Sequence, residues 1–185
     1  SKDLDFSGFH MTEFLDYEAG SGFRQINEAG WYTRGLRKLN LSYNWLSTLP
    51  LSVSRLSTLT CLDLKHNCII GLPETLSVLV CLKEVDLSYN RLTVLPCGLG
   101  LAAELETIAT HHNPLMAPPV EIIRQGAAKI VRYLRGIHMA RKNGKLDWNK
   151  LNLCTIDTLI VMLPEGDAAL IQELYLDDNM IVVLN

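Results

Sequence analysis

The sequence predicts an α/β solenoid: short parallel strands stacked along a concave sheet, closed by a helix, with a second stack starting beyond it. Three observations predict this. A 23-residue repeat runs through the middle of the chain without slip. An amphipathic stretch follows the last repeat. The phrase LDFSGFHMTEF at Leu4–Phe14 returns as LDWNKLNLCTI at Leu146–Ile156, with large apolar residues at matching offsets and an Asp after the first.

The repeat is read by aligning LRKLNLSYNWLSTLP from Leu36, LTCLDLKHNCIIGLP from Leu59, LKEVDLSYNRLTVLP from Leu82 and LETIATHHNPLMAPP from Leu105. Asn recurs at 44, 67, 90 and 113, and Pro at 50, 73, 96 and 119. Such a period marks units that cannot bury an apolar face alone but form one continuous core when stacked. In each unit the inward residues, such as Leu39 and Leu41 or Leu62 and Leu64, alternate with outward ones, as a strand requires. The Asn leaves the strand at a bend, where its amide can serve backbone groups that the turn leaves unpaired. Leu-Pro then closes the crossing, Pro being suited to a segment with no ladder bond to make. Leu56 and Leu79 anchor the return path. In the third return, CGLGLAA, Leu99 or Leu101 must serve, and a looser turn is expected. The fourth repeat departs from the pattern, with Thr110 and Pro118 at Leu positions, as terminal units commonly do.

After it, Ile123, Ala127, Ile130, Leu134 and Ile137 keep helical spacing. Glu121 suits the positive end of a helix there, and Arg132 and Arg135 the negative end. The prediction is a helix laying its apolar stripe over the open end of the stack, with Arg124, Arg132 and Arg135 on the opposite face.

The repeats fit LxxLxLxxNxLxxLP, and the chain resembles the leucine-rich-repeat proteins. The run NPLMAPPVEIIRQGAAKIVRYL further resembles the last repeat of cytosolic Ras-group-related members. The resemblance covers residues 36–137. It implies a non-catalytic scaffold that binds a protein on its concave face, with signalling partners such as small GTPases or phosphatases.

The expected organisation is an opening coil and irregular crossing over 1–35, four repeats over 36–118, a capping helix over 119–137, a basic linker over 138–145, and an opening coil plus first repeat of a second array over 146–185. In the first opening coil Phe9 stands at the Asn position. In the last repeat, Ile171, Leu174, Leu176, Asn179, Ile181 and Leu184 fit the pattern.

Composition sets limits. Of 185 residues, 48% are apolar and 20% charged, which is globular. The longest apolar run, Leu159–Leu163, falls far short of the roughly 20 residues a membrane span needs. SKDLDFSGFH carries no signal-peptide core. Five Cys without a paired frame read as reduced thiols of a cytoplasmic protein. The net charge of −3 hides a division: residues 122–145 carry seven Lys or Arg and no acid. This block reads as a solvated helix face and linker, the alternative being an acidic protein, RNA or phospholipid partner. The chain as a whole has no general affinity for nucleic acid or membranes.

The candidate site lies on the outward strand positions: Lys38, Asn40 and Tyr43; Asp63, Lys65 and His66; Glu84, Asp86 and Tyr89; His111 and His112. Tyr43, His66, Tyr89 and His112 form an aromatic and imidazole column, rigid material for protein recognition that charged neighbours would make selective. The alternative is that these rings merely stack on one another. A metal site at His66, His111 and His112 is not expected, because adjacent residues on a continuing strand face opposite ways and no other ligand has suitable spacing. Cys61 near Asp63 and His66 lacks an oxyanion hole, so no catalysis and no cofactor are expected. Two further readings stand beside the scaffold: a structural subunit of a large assembly, and a regulatory fragment of a larger enzyme.

Overall fold

The structure, a computed structural model, describes residues 2–12, 35–154, 163 and 166–182. The expected irregular crossing, with Phe23, Trp31 and Tyr32, lies outside the described residues, as do Phe14, Ile156 and Leu184.

Five parallel strands form one sheet in chain order: β1 (Lys2–Asp5), β2 (Leu36–Asn40), β3 (Cys61–Asp63), β4 (Glu84–Asp86) and β5 (Thr107–Ala109). The register is that of the repeat, with Leu39 opposite Leu62, Leu62 opposite Val85 and Val85 opposite Ile108. Stacking in register puts every inward position of the central coils into one core: Leu39, Leu41, Leu62, Leu64 and Leu87 are at most 2% exposed. Each such side chain contributes on the order of 1.5–3 kcal/mol by leaving water.

The Asn ladder ties successive coils. Asn67 Nδ2 donates to the Leu41 carbonyl of the coil before at 2.9 Å, and its Oδ1 accepts from the Leu46 N–H at 3.0 Å. Asn44, Asn90 and Asn113 repeat both bonds on Phe6 and Met11, Leu64 and Ile69, and Leu87 and Leu92. The opening coil thus receives its amide from Asn44. Phe9, at the Asn position of that coil, is 66% exposed and does not join the core. A phenyl ring cannot make the two bonds the bend needs, so it is left outside. Its counterpart in the second opening coil, Leu151, is buried.

The returns are short 3-10 turns at Leu51–Arg55, Glu74–Val78 and Cys97–Leu101. The third is as regular as the others, contrary to the looseness expected of CGLGL. Its glycines provide clearance: a Cβ on Gly98 would stand 2.6 Å from the Glu74 carbonyl oxygen, and one on Gly100 2.2 Å from the Arg135 nitrogen. Leu99 fills the inward position.

Gly98 lets this return lie on the one before it, and Gly100 lets it lie against the cap. A short helix α1 (Val120–Ile123) leads into α2 (Ala127–Asn143). Ile130, Leu134 and Ile137 are buried, as the stripe predicts. The helix does not stop at 137, however. It runs through most of the stretch expected as a linker, because Ala140 is also buried and nothing in HMARKN breaks a helix; Gly144, with φ 73°, ends it.

Beyond the helix, β6 (Lys145–Asp147) pairs in parallel with β7 (Glu173–Tyr175) in a separate two-stranded sheet, Leu146 opposite Leu174. This sheet packs on the other side of α2. Trp148, 1% exposed, stacks on Tyr133 with ring centroids 5.0 Å apart and donates its indole N–H to the Tyr133 carbonyl. Gly136 permits the approach, since a Cβ there would meet the Asp147 carbonyl oxygen at 2.7 Å. Among the described residues no helix is long and apolar enough to cross a membrane.

Candidate functional site

At the bends after β2, β3, β4 and β5 the chain enters the left-handed region at a non-glycine residue: Tyr43, His66, Tyr89 and His112 have φ of 56°, 52°, 56° and 56°. This conformation costs an L-residue about 1–2 kcal/mol, and Gly or Asn would occupy it more cheaply. The bend exists because the next residue, the ladder Asn, must turn into the core. Its by-product is that four large rings leave the sheet in one column.

The rings stack continuously. Centroids of Tyr43 and His66 lie 4.6 Å apart, of His66 and Tyr89 4.1 Å, and of Tyr89 and His112 4.2 Å, with interplanar angles of 18°, 12° and 20°. Lys65 Nζ stands 6.0 Å from the Tyr43 ring centre and 5.8 Å from that of Tyr89, at the outer limit of a cation–π contact. The three stacked pairs return roughly 0.5–1.5 kcal/mol each, which offsets only part of the backbone cost of the four residues. The column nonetheless stays open to solvent, Tyr43 at 55% and Tyr89 at 38% exposure.

His111 belongs to the same cluster. Its ring meets Tyr89 edge-on at 5.3 Å and His112 at 5.4 Å. The two histidines do not face opposite ways, because His112 is left-handed and the strand has ended at Ala109. Among the described residues no group of His, Cys, Asp or Glu is arranged to hold a metal ion.

The acidic column has a different occupation. Asn40, Asp63 and Asp86 are half-buried, and each side-chain oxygen accepts the N–H of the residue two positions on, Ser42, Lys65 and Ser88, at 2.9–3.0 Å. These groups shape the bend that carries the rings. Burial pushes the Asp63 carboxyl up, and Asp86 and Asp5 add to that, against the opposing Lys65 N–H and charge. Lys38 and Glu84 are exposed at the edges of the column field. Burial first, and Glu84 second, push the Cys61 thiol up, so it is not prepared as a nucleophile.

At the opening-coil end the column stops, because Gly8 holds the corresponding position, its N–H bonded to the Ser42 carbonyl as that of Tyr43 is to Lys65. Gly8, His10, Tyr43, Trp45, His66 and Tyr89 help to line a groove of about 530 Å³. Trp45, 59% exposed, donates its indole N–H to His10 Nδ1 at 3.2 Å. Neither His10 nor Trp45 is among the residues the repeat singled out. Their signal was a second aromatic one place beyond the ladder Asn, which only one repeat has.

Two further clusters were not foreseen as sites. Arg141 pairs with both oxygens of Asp167 at 2.8 and 2.9 Å, and with Glu74 at 2.8 Å, and it reaches Cys97 Sγ at 3.1 Å. Burial, more than the neighbouring Glu74, pushes the Cys97 thiol up to about 12, so it stays protonated. The second cluster is basic. Arg132 and Arg135, expected to project freely, instead donate their Nε–H groups to the carbonyls of Asn149 and Gly100.

Comparisons agree with the repeat. The family model described as leucine rich repeat matches residues 34–92. No curated protein matches the sequence significantly. Among solved structures, a leucine-rich-repeat protein of Leptospira interrogans is similar at 17% identity and a TM-score of 0.46; the alignment covers 100% of this chain and 62% of that one. Leucine-rich repeats as a class mediate protein–protein contacts, through the extended concave surfaces that stacked units create. The in-register parallel strands and the Asn ladder give this chain a leucine-rich-repeat solenoid fold, and the family match places that repeat at residues 34–92.

Proposed function

We propose that the chain is a non-catalytic interaction module that holds a protein partner against the ring column and the charged positions beside it. One observation carries this reading: four successive coils keep a large ring, exposed at Tyr43, Tyr89 and His112 and half-buried at His66, in the left-handed conformation where glycine would be cheaper. Backbone strain kept in register over four units, at a cost that stacking only partly returns, points to a use for the exposed rings. Tyr and His rings offer contact area at little cost in side-chain entropy. Lys38, Lys65 and Glu84 set charge around them and so select the partner. Asn40, Asp63 and Asp86 act mainly by fixing the bend. The likeness of NPLMAPPVEII to the last repeat of Ras-group-related proteins supports a cytoplasmic setting and a signalling partner, such as a small GTPase or phosphatase.

The test is direct. The full chain is used to capture partners, each is identified and purified, and its affinity is measured for wild type and for Tyr43→Ala/Tyr89→Ala. The expected result is at least a tenfold loss of affinity with the thermal melt shifted by less than a few degrees. Unchanged affinity for every identified partner would place the interface elsewhere.

A further inference from the structure

The face of α2 opposite the core stripe forms the wall of a second cleft, of about 570 Å³. Ala128, Arg132, Arg135 and Met139 follow one another along that face at helical spacing. Ala103 and Leu105, from the end of the third return, close one side, and Asp147 and Lys150, from the second sheet, close the other. Four of the lining residues are cationic, Lys129, Arg132, Arg135 and Lys150, against the single acid Asp147. This local excess of positive charge stands in a chain whose net charge is −3.

The two arginines are anchored, not loose. Arg135 Nε donates to the Gly100 carbonyl at 2.9 Å, and Arg132 Nε to that of Asn149. Lys129 Nζ is bonded to the Lys150 carbonyl. Anchoring at Nε holds each guanidinium plane while leaving terminal N–H groups for a planar anion. The terminal contact seen is with the cleft's own acid, Arg132 Nη2 to Asp147 Oδ1 at 3.5 Å, long enough to be exchanged. A held guanidinium recognises carboxylates in fork geometry better than a mobile ammonium does. Between the charges the floor is apolar, with Leu105, Val131 and Met139, the last 40% exposed.

We propose that this cleft binds an acidic peptide segment, carboxylates on Arg132 and Arg135 and an apolar side chain between them on Val131 and Met139. The site is separate from the ring column and does not rest on that reading. Size favours a short segment, since clefts of this order enclose a few side chains. Nucleic acid fits less well. The lining offers no aromatic ring for a base to stack on, and Tyr133, on the helix, is fully buried against Trp148. A bilayer surface is disfavoured by the concavity.

The experiment uses the full chain and a fluorescein-labelled EELEE peptide, read by anisotropy. Saturable binding that weakens between about 50 and 200 mM salt is expected. Arg132→Gln/Arg135→Gln should weaken it at least tenfold with the melt unchanged. Because a folding defect could mimic that loss, Asp147→Asn gives a gain instead. It keeps an oxygen for the Asn149 N–H, removes the competing charge, and should tighten binding two- to threefold. A KKLKK peptide should not bind. Absence of binding at millimolar peptide, equal affinity of the double variant, or tighter binding of an RNA oligomer or phosphatidylserine vesicles than of the peptide would each overturn the proposal.

Discussion

The inner coils and the two-stranded sheet obey one sequence pattern with different results. In the coil that carries β3, Leu62 is 1% exposed, Leu64 0% and the ladder Asn67 8%. In the coil that carries β7, Leu174 is 40% exposed, and Leu176 and Asn179 are half-buried. Asn179 still makes its ladder bonds, donating to the Trp148 carbonyl at 2.9 Å and accepting from the Leu151 and Leu153 N–H groups at 3.0 and 3.1 Å. The pattern therefore determines bond geometry coil by coil, whereas burial comes from having a neighbour on both sides. Repeat stability is a sum of unit and interface terms, and among the described residues the second sheet has fewer interfaces to sum.

The largest effect that would test this separation is loss of Trp148. Its buried ring stacks on Tyr133 of α2, and truncation of a buried Trp costs about 3–5 kcal/mol. Trp148→Ala should strip hydrogen-exchange protection from the amides at 145–150 and 172–180 while leaving those of β3 and β4 near their wild-type values. An equal loss in β3 and β4 would mean that the two sheets unfold as one unit, and the comparison would fail.

A smaller effect sharpens it. Asn90 is buried and serves the carbonyls of Leu64, Leu87 and Ser88 and the N–H of Ile69. Removing it strands buried backbone groups at about 1–3 kcal/mol. In Asn179→Ala part of this loss is spared, because the Leu176 and Asp177 carbonyls lie on the half-open coil and can turn to water, whereas the Trp148 carbonyl and the Leu151 and Leu153 N–H groups belong to buried residues. Urea unfolding should therefore show Asn90→Ala more strongly destabilised than Asn179→Ala. Equal losses would show that the ladder works regardless of depth.

The difference also explains what could be read from the residues. The strands, their register, the Asn bonds and the buried Leu positions follow from local alternation and a fixed period, and all are visible in a linear sequence. The ring column was visible for the same reason, as one position repeated four times. What failed depended on contacts between distant segments. Gly98 and Gly100 look like a loosened turn, yet Gly98 lies against the second return and Gly100 against α2. The helix was ended six residues early because the burial of Ala140 depends on what surrounds the helix there. The basic run at 122–145 was legible as charge. Its cleft was not, since the walls come from residues near 103, 132 and 150, which no periodicity connects.

The smallest expected effect probes the tie between the stack, α2 and the second block at Arg141. Burial raises the Glu74 carboxyl, but the Gly98 N–H, the Arg141 guanidinium and the Cys97 thiol together outweigh it and hold the carboxyl below its ordinary value of 4.5. A carboxylate whose folded pKa is depressed adds stability that is present above its unfolded pKa and is lost as pH falls through the folded one. Glu74 is half exposed, at 52% of its side chain, so screening keeps the contribution to a few tenths of a kcal/mol. The difference in stability between wild type and Glu74→Gln should accordingly be small at pH 7 and shrink further as pH falls below about 4.5. Arg141 keeps its two bonds to Asp167 throughout, so β6 and β7 should remain docked in the variant. A difference that grew with acid would mean that the Glu74 carboxyl is raised in the folded chain, and that Arg141 is committed to the second block alone.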